Sequence, residues 1–103
     1  MINISVLSKD FIRVPVSAEE DGLAVDPTGD VVEMAIVTAS TDPVGGDWNT
    51  AAWETAGSIY YARLLVGPGS SFGALSAKTY DVWVKVTDSP EIPAMRAGPL
   101  QVW

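Results

Sequence analysis

The stretch Lys78-Thr-Tyr-Asp-Val-Trp-Val-Lys-Val-Thr-Asp88 decides the fold of this chain. Apolar side chains occupy every second position in it: Tyr80, Val82, Val84 and Val86. The intervening positions are mostly polar: Thr79, Asp81, Trp83, Lys85 and Thr87. A β-strand places alternate residues on opposite faces, whereas a helix would scatter both sets around its circumference. The pattern therefore predicts a strand that buries the first set and turns the second toward solvent.

Other segments of the chain read as strands too, and turn residues separate them. The predicted strands lie within residues 2–7, 11–16, 31–39, 48–55, 59–66, 80–87 and 98–103. Turns or loops are predicted at 19–22, 26–30, 41–47, 56–58 and 67–73. Pro15 lacks an N–H, so the strand 11–16 is expected at a sheet edge or at a bulge. Both faces of 31–39 are apolar except at Glu33, which predicts a central strand covered on each side.

About seven short strands at this spacing are typical of a β-sandwich rather than of alternating strands and helices. The sequence thus predicts an all-β fold, an immunoglobulin-like antiparallel β-sandwich, as a single domain over residues 1–103. A small closed barrel is the less favoured architecture. Hydrophobic residues make up 48% of the chain and charged residues 18%, which is enough apolar material for a core.

The residue inventory excludes much of catalytic chemistry. The chain has no cysteine and no histidine, so it can form neither a Ser-His-Asp triad nor a Cys-His pair nor the usual zinc sites. Carboxylates do occur in groups, and a pair of them could hydrolyse glycosides or bind calcium. Every such group lies in a predicted turn, where Asp commonly bonds to the backbone: Glu19, Glu20 and Asp21; Asp26 and Asp30; Asp42 and Asp47. We expect a protein that is not an enzyme and needs no cofactor.

The net charge of the chain indicates which kinds of partner it can bind. The formal net charge is −7, and the six basic residues are dispersed along the chain. Binding to nucleic acid or to an anionic membrane needs clustered Lys and Arg, so neither partner is expected. The N-terminal residues lack the basic and apolar regions of a signal peptide, and no apolar stretch approaches a membrane span. We expect synthesis in a cytoplasm.

Four tryptophans are the most conspicuous candidates for contacts. Trp53, on a short strand after a turn, is predicted to pack in the core. Trp83 lies on the polar face of its strand, where a loop could cover it, a protein partner could bind it, or a sugar could stack on it. Trp103 is expected to pack on this domain or on a neighbour, and Trp48, in a glycine-rich loop, is equally ambiguous. The predicted interface residues are Trp83, Trp103 and Trp48.

The order of several motifs resembles a known family. These motifs are Asp26-Pro-Thr-Gly-Asp30, Trp48 followed by Trp53-Glu54, Tyr60-Tyr-Ala-Arg-Leu-Leu-Val66, Thr79-Tyr-Asp-Val-Trp-Val-Lys-Val-Thr-Asp-Ser-Pro-Glu91 and Gly98-Pro-Leu100. Together they look like small immunoglobulin-like virion proteins of tailed phages, notably phages of actinobacteria. The layout is also similar to the N-terminal domain of phage baseplate upper proteins.

The resemblance implies a non-enzymatic structural protein of the virion, made in the bacterial host cytoplasm. Its expected partners are other phage structural proteins of the capsid, connector or tail, and it could form a homo-oligomer. Because no fibre extension follows Trp103, a capsid accessory (decoration) or head–tail role is favoured over a tail or baseplate role. The alternative from another class is a carbohydrate-binding module with Trp48, Trp83 and Tyr61 as a stacking platform. A hydrolase using turn carboxylates is a more remote alternative.

Overall fold

The structure, a computed structural model, describes residues 2–20, 22–88 and 91–103. The described part of the chain forms ten strands and two short 3₁₀ turns, Pro27–Gly29 and Gly45–Asp47. The strands are β1 (Ile2–Ile4), β2 (Asp10–Val16), β3 (Ala18–Glu20), β4 (Leu23–Val25), β5 (Val31–Thr38), β6 (Asn49–Thr50), β7 (Ala52–Ala56), β8 (Ile59–Val66), β9 (Lys78–Thr87) and β10 (Ala94–Val102). The predicted all-β class is confirmed. Among the described residues, no helix has the length and apolar character needed to cross a membrane.

Two sheets pack face to face as a sandwich. One has five strands in the order β1-β10-β9-β5-β6, the other has three in the order β2-β8-β7, and β3 and β4 form a separate hairpin. The order is that of the immunoglobulin fold: β2, β8 and β7 take the places of strands B, E and D, and β6, β5, β9 and β10 those of C′, C, F and G. All pairs are antiparallel except β1 with β10, which is parallel.

The core lies between the two sheets and follows the predicted alternation. It contains Ile12, Val14, Val32, Met34, Ile36, Ala62, Leu64, Val66, Tyr80, Val82, Val84, Val86, Leu100 and Val102, each at most 9% exposed. Strand β5 is also covered on its second face, because Ala35 and Val37 are buried there. Pro15 lies on β2, an edge strand, as its missing N–H predicts.

A hydrogen bond near the start of β9 is a further mark of this fold. The Tyr80 hydroxyl donates to the backbone carbonyl of Ser76, 2.9 Å away, and also lies 3.0 Å from the Ser76 hydroxyl. Immunoglobulin-like domains carry such a tyrosine corner at the start of strand F, two residues before a core half-cystine. Val82 stands at that core position here and is 1% exposed. At this position the two sheets are therefore held together by aliphatic packing.

The structure differs from the predicted boundaries at several places, and the first strand ends at Ile4 rather than at Leu7. The segment 48–55 is two strands, because the chain leaves one sheet at β6 and enters the other at β7, with Ala51 between them. The last strand begins at Ala94 rather than Gly98, and an irregular register between Arg96 and Gly98 lets it continue. Glu19 and Glu20, predicted to lie in a turn, belong instead to strand β3, which pairs with β4 so that Ala18 lies opposite Val25. Residues 21, 89 and 90 lie outside the described residues, as do the side chains of 19 and 20.

Candidate interaction surfaces

The outer face of the five-stranded sheet is less open than the alternation predicts. Asp81 was expected to face solvent, yet it is 5% exposed. Its Oδ1 accepts a hydrogen bond from Arg96 Nη2 at 2.7 Å, and its Oδ2 accepts the Ser40 N–H at 2.9 Å. These two bonds, the first being the stronger influence, hold the pKa of Asp81 below its usual value. The prediction was wrong for Asp81 because the loop after β5 folds against this face and buries the carboxylate.

Trp83 lies beside that ion pair, in register with Ala35 and Arg96. Its side chain is half-buried, and its Nε1 is shielded from solvent with no hydrogen-bond acceptor among the described residues. Trp83, Ser40, Asp81 and Arg96 line a cavity of about 370 Å³ whose other walls include residues 41, 42 and 79. The surface around Trp83 is therefore partly covered by the chain itself, and its role in an interface stays a prediction.

Trp48 shares this outer face with Trp83. Lys85 is two positions from Trp83 on β9, and its Nζ lies 4.4 Å from the centroid of the Trp48 ring. The same Nζ is 3.6 Å from Glu33 Oε1. Lys85 thus holds Trp48 by a cation–π contact and is itself oriented by a carboxylate. The structure brings two of the three predicted interface residues to one surface.

Trp103 lies elsewhere. Its N–H donates to the Ile4 carbonyl at 3.0 Å, and its own carbonyl accepts the Val6 N–H at 2.6 Å. The register sets Val102 opposite Lys78, which puts Trp103 about 20 Å along the strand direction from Trp83. The backbone of Trp103 is fixed by pairing with the first strand, while its side chain is 66% exposed.

The remaining aromatic predictions are resolved by the sheet assignments. Trp53 packs against the core as predicted, and its Nε1 donates to the Asp30 carbonyl at 2.8 Å. Tyr61 lies on β8 opposite Pro15 and Glu54, on the outer face of the three-stranded sheet. Trp48 and Trp83 are on the outer face of the other sheet. The stacking platform proposed for sugar binding therefore does not assemble from these three residues.

A charged cluster on the three-stranded sheet was not anticipated from the sequence. Glu54 accepts a hydrogen bond from Arg13 Nε at 2.8 Å and another from Arg63 Nη1 at 2.9 Å. Both guanidinium groups also lie over the Phe11 ring, at 5.4 Å and 4.6 Å from its centroid. The hydrogen bond from Arg13 is the main cause of a lowered pKa for Glu54. Arg13 and Arg63 are directly opposite each other, so only the strand register could have revealed that they need a shared counter-charge.

Two of the turn carboxylates, Asp26 and Asp47, accept backbone hydrogen bonds as the turn interpretation predicts. Asp26 Oδ1 accepts the Thr28 N–H at 2.9 Å and the Thr28 hydroxyl at 2.6 Å, which lowers the pKa of Asp26. Asp47 Oδ2 accepts the Val44 N–H at 2.9 Å. Within the described residues, no three or more Asp and Glu side chains gather in a way that could hold a metal ion. The cluster at 19–21 lies outside the described side chains.

These observations define the chain as a β-sandwich with exposed or half-buried tryptophans on two surfaces, one around Trp48 and Trp83 and one at Trp103. A comparison with known protein families, curated proteins and solved structures finds no match. The β-sandwich class therefore rests on the arrangement of the strands in two sheets.

Proposed function

We propose that this chain is a non-enzymatic structural component of a tailed-phage virion. It docks by protein–protein contacts as a capsid accessory (decoration) or head–tail protein. The ordered motifs from residue 26 to residue 100 support the phage assignment by resemblance. An immunoglobulin-like sandwich is compatible with the docking role, because its paired strands hold surface side chains in fixed positions where a partner could contact them.

The observation that carries the docking role is the setting of Trp103. Two backbone hydrogen bonds to β1 and to Val6 hold this residue in place, yet two thirds of its side chain stays in water. Leu7, the residue after Val6, is 85% exposed. Burying such an apolar side chain is worth about 1.5–3 kcal/mol, and tryptophan is enriched among residues that dominate binding energy. An exposed indole on a backbone that is held in place, with an exposed leucine one residue beyond its backbone partner Val6, is thus a ready anchor for a partner.

The charge of the chain fits assembly around packaged DNA. A net charge of −7 disfavours nonspecific association with nucleic acid while leaving apolar contacts to proteins intact. The negative charge would therefore keep the chain from binding the packaged DNA and leave its apolar side chains free to contact other proteins of the particle.

The decisive experiment is the composition of purified particles. Mass spectrometry of particles from a phage that encodes this chain should find the polypeptide in a constant ratio to the other structural proteins. Electron microscopy of particles made without the gene should show density missing at one defined position. Particles that never contain the polypeptide would overturn the proposal.

A further inference from the structure

The end of the sandwich opposite Trp103 is the most apolar part of the described surface. Six of the nine large apolar side chains exposed within residues 2–20, 22–88 and 91–103 lie there. We call this group the apolar end, and it consists of Leu23, Val25, Val31, Ile59, Ile92 and Met95, which are 36–71% exposed. They come from the β3–β4 hairpin, the first residues of β5, β8 and β10, and the segment before β10. Soluble proteins seldom gather most of their exposed apolar side chains in one region unless something binds there.

Two cavities give this end a concave surface. One, of about 430 Å³, is lined by Val25, Ile59 and Tyr60 on one side and by residues 15–18 on the other. The second, of about 250 Å³, is lined by Pro93 and Met95, with residues 16–18 as the wall that both cavities share. Apolar side chains of a partner could enter on both sides of this wall, which is how buried anchors bind in protein interfaces.

The rim of the apolar end carries one sign of charge. Asp30, Asp88 and Glu91 line the second cavity, and none of them forms an ion pair among the described residues.

The basic residues of the chain are engaged elsewhere. Four are in ion pairs with carboxylates outside this rim, namely Arg13 and Arg63 with Glu54, Lys85 with Glu33, and Arg96 with Asp81. Lys85 and Arg96 are close to Met95 along the strands, but they lie on the outer face of the five-stranded sheet, beside Trp83. Lys9 lies near Gly69, and Lys78 Nζ donates to Thr38 Oγ1, both at the opposite end. The apolar end is therefore an apolar centre with an acidic rim.

We propose that the apolar end binds a segment of another protein in which apolar side chains are flanked by lysine or arginine. The inference rests on the proposed docking function and names the partner's chemistry. An acidic rim repels nucleic acid and anionic lipid, and it attracts a basic partner during approach. Two copies meeting through this same surface would bring their acidic rims together, so a symmetric dimer is disfavoured.

Peptide probes test the chemistry directly on the full chain. Three extended peptides of equal length are compared: one alternating valine and lysine, one alternating valine and glutamate, and one alternating serine and lysine. Amide NMR shifts should change for the valine–lysine peptide alone, and only around residues 16–31, 57–60 and 86–95. Equal binding of the valine–glutamate peptide, or shifts centred on Trp103, would overturn the proposal.

Exposed positions supply variants that leave the core intact. Ile59→Ser and Met95→Ser should each weaken the valine–lysine peptide about tenfold, and Asp88→Lys with Glu91→Lys should do the same through charge. Leu7→Ser and Val44→Ser remove apolar groups that are still more exposed, at other places, and should leave the affinity unchanged. Equal losses in both sets would show that the peptide does not use the apolar end.

Carbodiimide cross-linking in purified particles identifies the natural partner, because this reagent joins a carboxylate to a lysine in direct contact. Cross-links from Asp88 or Glu91 to a lysine of a different protein are expected. Links to Lys9 or Lys78 of a second copy would replace the proposal with head-to-tail self-association. Particles lacking the chain would refute the proposed function alone, whereas particles that take up the Asp88→Lys, Glu91→Lys variant as well as the wild type would refute this inference.

Discussion

The Tyr80 hydroxyl donates a hydrogen bond to the Ser76 carbonyl at 2.9 Å, closing the corner between the long connection after β8 and the start of β9. The tyrosine ring is buried, and its hydroxyl therefore needs this partner. The bond fixes the connection 67–77 against the core at the point where the chain passes from one sheet to the other.

Tyr80→Phe removes this hydroxyl without changing the ring. We expect the free energy of unfolding to fall by about 1 kcal/mol, because the Ser76 carbonyl loses a partner. Urea unfolding measures the loss, with Tyr61→Phe on the outer face as control. Equal stability of the two variants would show that the corner adds nothing here.

Asp81→Asn tests the buried carboxylate. Because the folded-state pKa of Asp81 is lowered, its ionised form stabilises the fold above the unfolded-state pKa, and this stabilisation is lost as pH falls through the folded-state value. Unfolding measured from pH 7 down to about pH 3 should show a smaller acid-induced loss for the variant than for the wild type, with a deficit at pH 7 of about 1 kcal/mol. Asp42→Asn, in the exposed part of the same loop, is the control. A variant that keeps the wild-type pH profile would contradict this assignment.

Glu54→Gln leaves Arg13 and Arg63 opposite each other without a shared counter-charge. We expect a lower thermal midpoint at low salt, and a smaller difference from the wild type as salt screens the repulsion. Glu91→Gln removes an exposed carboxylate that is in no ion pair among the described residues, and it should not show this pattern. A salt-independent difference would point to packing on Phe11 rather than charge.

A comparison of two leucines, one buried and one exposed, tests the assignment of the core. Leu100 is 0% exposed and Leu7 is 85% exposed. Leu100→Ala should cost about 2–5 kcal/mol of unfolding free energy, since it leaves a cavity, whereas Leu7→Ala should change it by less than about 0.5 kcal/mol. Denaturant unfolding compares them, and a small effect at Leu100 would contradict the core described above.

Trp103→Ala tests the proposed anchor. Its stability should change by less than about 0.5 kcal/mol, because the lost side chain lies mostly in water. Recovery of the chain in purified particles should fall about tenfold or more, which corresponds to one dominant contact. Val44→Ala, at a similarly exposed site, is the control. Normal incorporation of the Trp103 variant would remove this residue from the interface.

The alternation of residues that face the core with residues that face outward predicted a strand well wherever every core-facing position of the strand is apolar. Strand β8 has the predicted bounds, and β5 and β9 differ by one or two residues. Where proline and glycine interrupt the pattern, as at Gly98 and Pro99, the strand was predicted too short. Pro99 is tolerated because β1 pairs with β10 only from Leu100 onward, so Pro99 has no neighbour on that side to which it would donate.

The candidate sites were less predictable than the strands. Three tryptophans were selected by type and position, but their grouping on one face or at one end depends on the sheet to which each strand belongs. The Arg13–Glu54–Arg63 cluster and the apolar end likewise join residues that are distant in sequence. Alternation within one strand carries no information about such neighbours.

The sequence by itself determined which side chains of each strand share a face, because that parity follows from the local geometry of an extended backbone. It thereby determined an all-β chain with Tyr80, Val82, Val84 and Val86 inside. Only the tertiary structure decided what covers each face, as in the bond from Ser40 to Asp81, which lie 41 residues apart. Pairing between distant strands depends on the packing of the whole chain, so the buried carboxylate and the apolar end emerge only after the sheets assemble.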